Sequence, residues 1–301
     1  MNRDKIEFAE FMRTLYPSNR TFEYYTNWAK VFLNVDNIRI KLSILNSVIG
    51  SDDVENDLRY IIKNYPDVVQ AFPILIAERE KNLNILVDYI NSPWIYKNFS
   101  FTSKKNYSDK EIDLLIEFLK GTKIVELFKN SRITNFIDYI SGIEVGMDTN
   151  GRKNRSGHIS ENITETYIRK ISEKYNLEYL KEATSEKIER NWNLLVPVDK
   201  SSRRYDFTIK VKNKVIIIEN NFFSGGGSKL KSVAGEFSGL YDILQHAEDV
   251  LAFVWITDGY GWNTAHKPLE EIYNKIDYVF NNKILLDGAL EKIIQEETRG
   301  K

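Results

Sequence analysis

The stretch "RYDFTIKVKNKVIIIENN", residues 204–221, holds two runs of β-branched and aromatic residues on either side of Lys212 and Asn213. Two such runs joined by two residues predict an antiparallel hairpin, because short connections match the twist of paired strands. With Lys212 and Asn213 at the turn, Val211 faces Lys214, and counting back places Asp206 opposite Glu219. Side chains alternate along a strand, so Asn221 shares the face of Glu219. Directly opposed β-carbons stand about 4.5–5.5 Å apart, and two carboxylates there repel. A cation between them is the expected remedy. Two hard oxygen donors with room for water suit Mg²⁺, which keeps part of its hydration shell and takes phosphate oxygens. A longer turn would slide the pairing, and a plain structural alternative pairs Asp206 with Arg203 or Arg204 and leaves Glu219 as a strand end.

The hairpin sits in the second of two regions with different patterning. Over residues 1–140, segments such as "RIKLSILNSVIG", "DVENDLRYIIKNYPDVVQAFPILIAER", "SDKEIDLLIEFLKGTKIVELFKNS" and "RITNFIDYISGIEVG" carry apolar residues at helical spacing. Ser108 and Glu111 have capping-box spacing. This is an expected helical region, with DNA contact or dimerisation as its possible roles. Residues 141–301 alternate strand-like runs ("WNLLVPV", "RYDFTIKV", "KVIIIEN", "LAFVWITDG", "KILL") with helical ones ("HISENITETYIRKISEKY", "KLKSVAGEFSGLYDILQHA", "DGALEKIIQEE"). The expected class is therefore α/β (α+β), a mixed central sheet flanked by helices.

Composition narrows the chemistry. There are 42 basic against 43 acidic residues among 301, so a polyanion must be met by a local basic patch rather than by net charge. With no cysteine, thiolate metal sites and disulfides are excluded. The three histidines are isolated, and neither HExxH nor G-x-S-x-G occurs. No apolar run has the length of a membrane span and the N-terminus lacks a signal-peptide core, so a soluble cytoplasmic protein is expected.

Two polar stretches stand near the hairpin in sequence. "GMDTNGRKNRSG", residues 146–157, reads as a basic, glycine-bearing loop with Asn150, Arg152, Lys153, Asn154 and Arg155. After the hairpin, Gly225, Gly226, Gly227 and Ser228 precede Lys229 and Lys231 at an expected helix start, where exposed amides make an anion nest. The order Ser-Lys reverses the Gly-Lys-Ser/Thr of a nucleotide P-loop. A flexible loop with solvated lysines is the plain alternative. "WITDGYGW", residues 255–262, reads as a structural strand-to-loop turn.

Asp206 followed by Glu219-Asn220-Asn221 resembles the PD-(D/E)xK nuclease core, with Asn221 where a lysine is usual. The longer strings "GMDTNGRKNRSG", "ENNFFSGGGSKLKSVAGEF" and "FVWITDGYGW" resemble the DpnII/MboI family of type II restriction endonucleases. That resemblance implies a Mg²⁺-dependent enzyme that cuts double-stranded DNA at 5'-GATC-3' before the guanine. It also implies a homodimer matched to the palindrome and a functional pairing with a DNA adenine methyltransferase. Under it Asp206 and Glu219 hold metal, with Glu161 as a further ligand and Glu165 its rival. Asn221 and Lys229 complete the candidate catalytic residues: the Asn221 amide stands in the lysine's place without its charge, and Lys229 or Lys231 is the group expected to reach in from the following helix. Arg152, Lys153, Arg155, Asn150, Asn154, Gly226, Ser228 and Lys231 are the candidate DNA contacts, arginine reading guanine and asparagine adenine. A structure-selective repair nuclease and a non-catalytic DNA-binding module are the competing functions.

Overall fold

The computed structural model describes residues 6–299 apart from 89, 91, 92, 130 and 131, and gives no side-chain description for residues 150 and 299. The chain forms two compact units, Tyr25–Arg152 and a second built from Met1–Tyr24 with Lys153–Lys301. A boundary at residue 140 would cut through a helix, Phe136–Met147. Residues 6–24 belong with the sheet because Phe8, Phe11 and Leu15 are buried in its core.

The unit Tyr25–Arg152 is mainly helical. After a short N-terminal helix α1 (Phe8–Arg13) of the other unit, it holds α2 (Trp28–Asp36), α3 (Arg39–Asn46), α4 (Val54–Asn64), α5 (Asp109–Gly121), α6 (Val125–Lys129) and α7 (Phe136–Met147). Their apolar stripes meet in one core that includes Leu42, Leu58, Phe72, Phe118 and Phe136. The capping box forms as the spacing predicts: the Ser108 side chain accepts from the Glu111 amide, and the Glu111 carboxylate accepts from the Ser108 amide. One element departs from the helical reading, an antiparallel hairpin of β1 (Asn82–Asp88) and β2 (Ile95–Ser100). Its exposed strands bury too few side chains for a strong alternation signal.

The second unit is a five-stranded mixed sheet in the order β3 (Tyr179–Ala183), β4 (Tyr205–Val211), β5 (Lys214–Phe222), β6 (Val250–Asp258), β7 (Tyr278–Phe280). β3, β4 and β5 are antiparallel; β5, β6 and β7 are parallel. The α/β class with helices about a mixed sheet is as expected. Parallel neighbours require crossovers, supplied by α10 (Ser228–Leu244) and α11 (His266–Lys275). Both sheet faces are covered, so β5 reads as an unbroken apolar run instead of an alternating one. Val215, Ile217, Phe253 and Trp255 enter the core shared with α1, α9 (Ser185–Trp192), α10 and α11. Ile216, Ile218, Val254 and Ile256 enter the opposite core, closed by α8 (Thr149–Tyr175), α12 (Asn282–Leu286) and α13 (Ala289–Arg299).

Three expectations are corrected. Residues 149–157 are the first turns of α8, not a loop. Glycine disfavours a helix by about 1 kcal/mol, but Asn19 clamps this turn, donating to the Ser156 carbonyl and accepting from the Ser156 hydroxyl. "KILL" lies in α12, and the last strand is Tyr278–Phe280, just before it. "WNLLVPV" has no strand beyond the end of α9. β3, at the sheet edge, carried too little apolar pattern to be anticipated.

Candidate active site

The hairpin takes the predicted register. Val211 pairs with Lys214 and Phe207 with Ile218, and Lys212 supplies the left-handed residue of the turn at φ 56°. One step beyond the last pair, Asp206 at the start of β4 meets Glu219 near the end of β5. The two carboxyl groups are near enough to influence each other, and Asp206 Oδ2 accepts from the Asn220 amide at 2.7 Å.

Both carboxyls are poised above their ordinary range. Desolvation raises Asp206 to about 6, helped by the charges of Glu161 and Glu182 and opposed by the Asn220 amide. Glu219 is pushed up well above the usual glutamate value, first by burial and then by the Asp206 charge. Glu219 is 4% exposed, and its Oε1 has no hydrogen-bond partner among the described residues. A buried carboxylate oxygen left open beside a second carboxylate is the donor set that a hard divalent cation satisfies, so the pair fits a metal. Among the described residues no group of three or more His, Cys, Asp or Glu is arranged to hold an ion.

Asn221 is oriented by its neighbour. Trp255, fully buried on β6, donates from Nε1 to Asn221 Oδ1 at 2.9 Å. Indole N–H can only donate, so the amide oxygen is fixed toward it and Nδ2 is left to donate elsewhere. The position thus supplies a neutral hydrogen-bond donor where a lysine would supply a charge.

The other carboxylates divide. Glu161, on α8, lies 3.8 Å from His158 Nδ1 and close enough to influence Asp206. Glu165 is engaged, its Oε2 paired with Lys181 at 2.8 Å and its Oε1 accepting from the Tyr179 hydroxyl. Sequence reasoning set Arg203 against Asp206; the structure turns it to Glu219 instead. The Arg203 guanidinium, 6% exposed, stands 3.6 Å from Glu219 Oε1 and binds Asp199 through Nε and Nη2. The same Nη2 reaches Glu236 at 2.7 Å. Asp199, Glu236 and Trp255 were missed because they lie on a loop, on α10 and on β6, and no local spacing ties them to Glu219. The one signal was an arginine three residues before the acid.

Two of the candidate DNA contacts are engaged with backbone carbonyls. Arg152 donates to the Tyr25 and Val145 carbonyls, and Arg155 to the Tyr24 carbonyl, so both guanidinium groups anchor their own unit's backbone. Lys153 and Asn154 are exposed on α8, and Asn150 has no described side chain. Ser228, Lys229 and Lys231 are exposed in the first turn of α10, whose start at Gly227 has no side-chain cap. The glycines serve a close approach of loop to loop. A Cβ on Gly226 would meet Thr264 Oγ1 at 2.5 Å, and one on Gly261 would meet the Gly225 carbonyl at 2.4 Å. The "WITDGYGW" segment is structural, as expected: Gly261 donates to the Phe223 carbonyl, and Trp262 packs edge-on against Phe223 and Trp255.

Among the described residues a cavity of about 510 Å³ lies in the helical unit beside the Arg79–Glu144 pair, lined by none of the candidate catalytic groups. A duplex is met by an open surface, so cavity size does not rank these sites.

The family model described as DpnII restriction endonuclease matches residues 7–292. A type II restriction enzyme MjaIII of Methanocaldococcus jannaschii is 38% identical, over 97% of this chain and 100% of that protein. Type II restriction enzyme DpnII of Streptococcus pneumoniae is 35% identical over 95% of this chain and 98% of its own length. Type II restriction enzyme MboI of Moraxella bovis is 33% identical over 97% and 98%. No solved structure gives a significant match.

Proposed function

Because the chain belongs to the DpnII family of type II restriction endonucleases, and so is a site-specific deoxyribonuclease acting on double-stranded DNA, we propose that it cuts 5'-GATC-3' before the guanine with Mg²⁺ at Asp206 and Glu219. Enzymes of this class generally use a divalent metal. The observation that carries the site is the carboxylate pair at the strand ends with one buried oxygen, Glu219 Oε1, left open. The sequence specificity rests on the family resemblance alone.

In this mechanism Asp206 and Glu219 would hold the cation, with Glu161 on α8 adding negative charge near Asp206. The chemistry that bound Mg²⁺ supplies is acidification of a water molecule and neutralisation of charge on the scissile phosphate. Asn221 Nδ2 donates a hydrogen bond to the attacking water or a phosphate oxygen and orients it, while taking no proton. Lys229 and Lys231, in the uncapped first turn of α10, meet the DNA backbone together with the helix amides. Lys153 and Asn154 approach the duplex from α8. A palindromic site calls for a two-fold homodimer with one active site per strand. Pairing with an adenine methyltransferase protects the host's own sites.

The test is incubation of the full chain with Mg²⁺ and unmethylated DNA. A discrete ladder from cuts before GATC is expected, with adenine-methylated DNA spared. Glu219→Ala should abolish cutting and retain DNA binding in EDTA. Cleavage at a different fixed sequence would refute the GATC assignment, and full activity of Glu219→Ala would refute the site.

A further inference from the structure

Arg203 is buried to the same extent as Glu219. Its guanidinium has five N–H donors in a fixed fork. Nε and Nη2 bind the two Asp199 oxygens at 2.8 and 2.5 Å, and Nη2 also binds Glu236 Oε1 at 2.7 Å. Lys200 holds the same Glu236 oxygen at 2.9 Å. With one edge pinned in this way, Nη1 faces Glu219 Oε1 at 3.6 Å, near enough to attract and too far to hydrogen-bond. The oxygen is thus steered without being occupied.

Charge counting agrees. When ionised, Asp199, Glu219, Glu236 and Asp206, with Glu161 and Glu182 near Asp206, outnumber the positive charges of Arg203 and Lys200. The local surplus is negative, which favours a cation beside Glu219.

We propose that Arg203 is a positioning residue for the metal: pinned by Asp199 and Glu236, it sets the orientation of Glu219 and leaves Oε1 free to bind the cation. The proposal rests on the reading of Asp206 and Glu219 as the metal-binding pair. Partners that orient first ligands typically change metal affinity about 10- to 100-fold when removed.

Mn²⁺ is the probe, its free concentration read by electron paramagnetic resonance with the full chain at neutral pH and no DNA. Arg203→Gln should weaken Mn²⁺ binding about 10- to 100-fold. Arg203→Lys, which keeps the charge and loses the fork, should fall between it and the wild type. Asp199→Ala removes the Asp199 half of the pin without altering Arg203 or Glu219 and should also weaken binding, so it carries the test if Arg203→Gln does not fold. For variants with unchanged circular dichroism, the Mg²⁺ concentration giving half-maximal cleavage should rise by the same factor, with DNA binding in EDTA unchanged. Folded variants that bind Mn²⁺ as tightly as the wild type, or more tightly, would overturn the proposal and leave the nuclease reading standing. A wild type that binds Mn²⁺ no better than Asp206→Asn would remove the metal reading itself.

Discussion

Asp206→Asn should make the metal-free protein more stable while removing its activity. The carboxyl lies at about 6 in the folded chain against an ordinary 3.8, because it is desolvated beside Glu161 and Glu182. At about 1.4 kcal/mol per pH unit this difference corresponds to roughly 3 kcal/mol. A carboxyl whose folded value is raised holds its proton in the native state after the unfolded chain has released it. Its contribution is therefore fully present below about pH 4 and lost as pH rises through about 6. An amide at 206 still accepts from the Asn220 amide and carries no charge at any pH. In EDTA, urea unfolding should show the variant more stable by roughly 2–3 kcal/mol at pH 7.5, with the gap closing between pH 6 and 4. Mn²⁺ should stabilise the wild type and not the variant. A gap that is absent at pH 7.5, or equal at pH 4 and pH 7.5, would refute the electrostatic account.

Three further outcomes follow from named contacts. Asn221→Ala should lower kcat on the order of 100-fold, the usual effect of losing one donor to a developing charge, with DNA affinity in EDTA unchanged; single-turnover cleavage and a binding titration separate the two. Gly261→Ala should cost about 1–3 kcal/mol in urea unfolding, since its Cβ would stand 2.4 Å from the Gly225 carbonyl, whereas Gly225→Ala, which meets nothing, should be tolerated better. Asp258→Ala should cost about 3 kcal/mol or more and expose the first residues to proteolysis, because the fully buried carboxylate accepts from the Tyr16, Gly259 and Asn282 amides and the Asn282 side chain.

Local pattern settled the hairpin and with it the carboxylate pair. A two-residue turn and a strict period of two leave one register that buries both faces, and that register, running to Phe207 and Ile218, brings Asp206 beside Glu219. The same logic made the capping box at Ser108 and the helices of residues 25–152 legible. Where local preference was weak, tertiary contacts overruled it. Residues 149–157 look like a loop because of their glycines, yet Asn19, more than 130 positions away, holds Ser156 in the helix. The basic character of Arg152 and Arg155 was plain from the chain, but whether a guanidinium faces DNA or a backbone carbonyl depends on which carbonyls the fold leaves beside it. Arg203 is the sharpest case. Its side chain reaches a loop acid, a helix acid and a strand acid at once, and those come together only when α10 crosses over the sheet to connect β5 to β6. Periodicity is a property of neighbours in sequence and can place a carboxylate pair on adjacent strands; the charge that surrounds the pair comes from side chains remote in sequence, which only folding brings within a few ångströms.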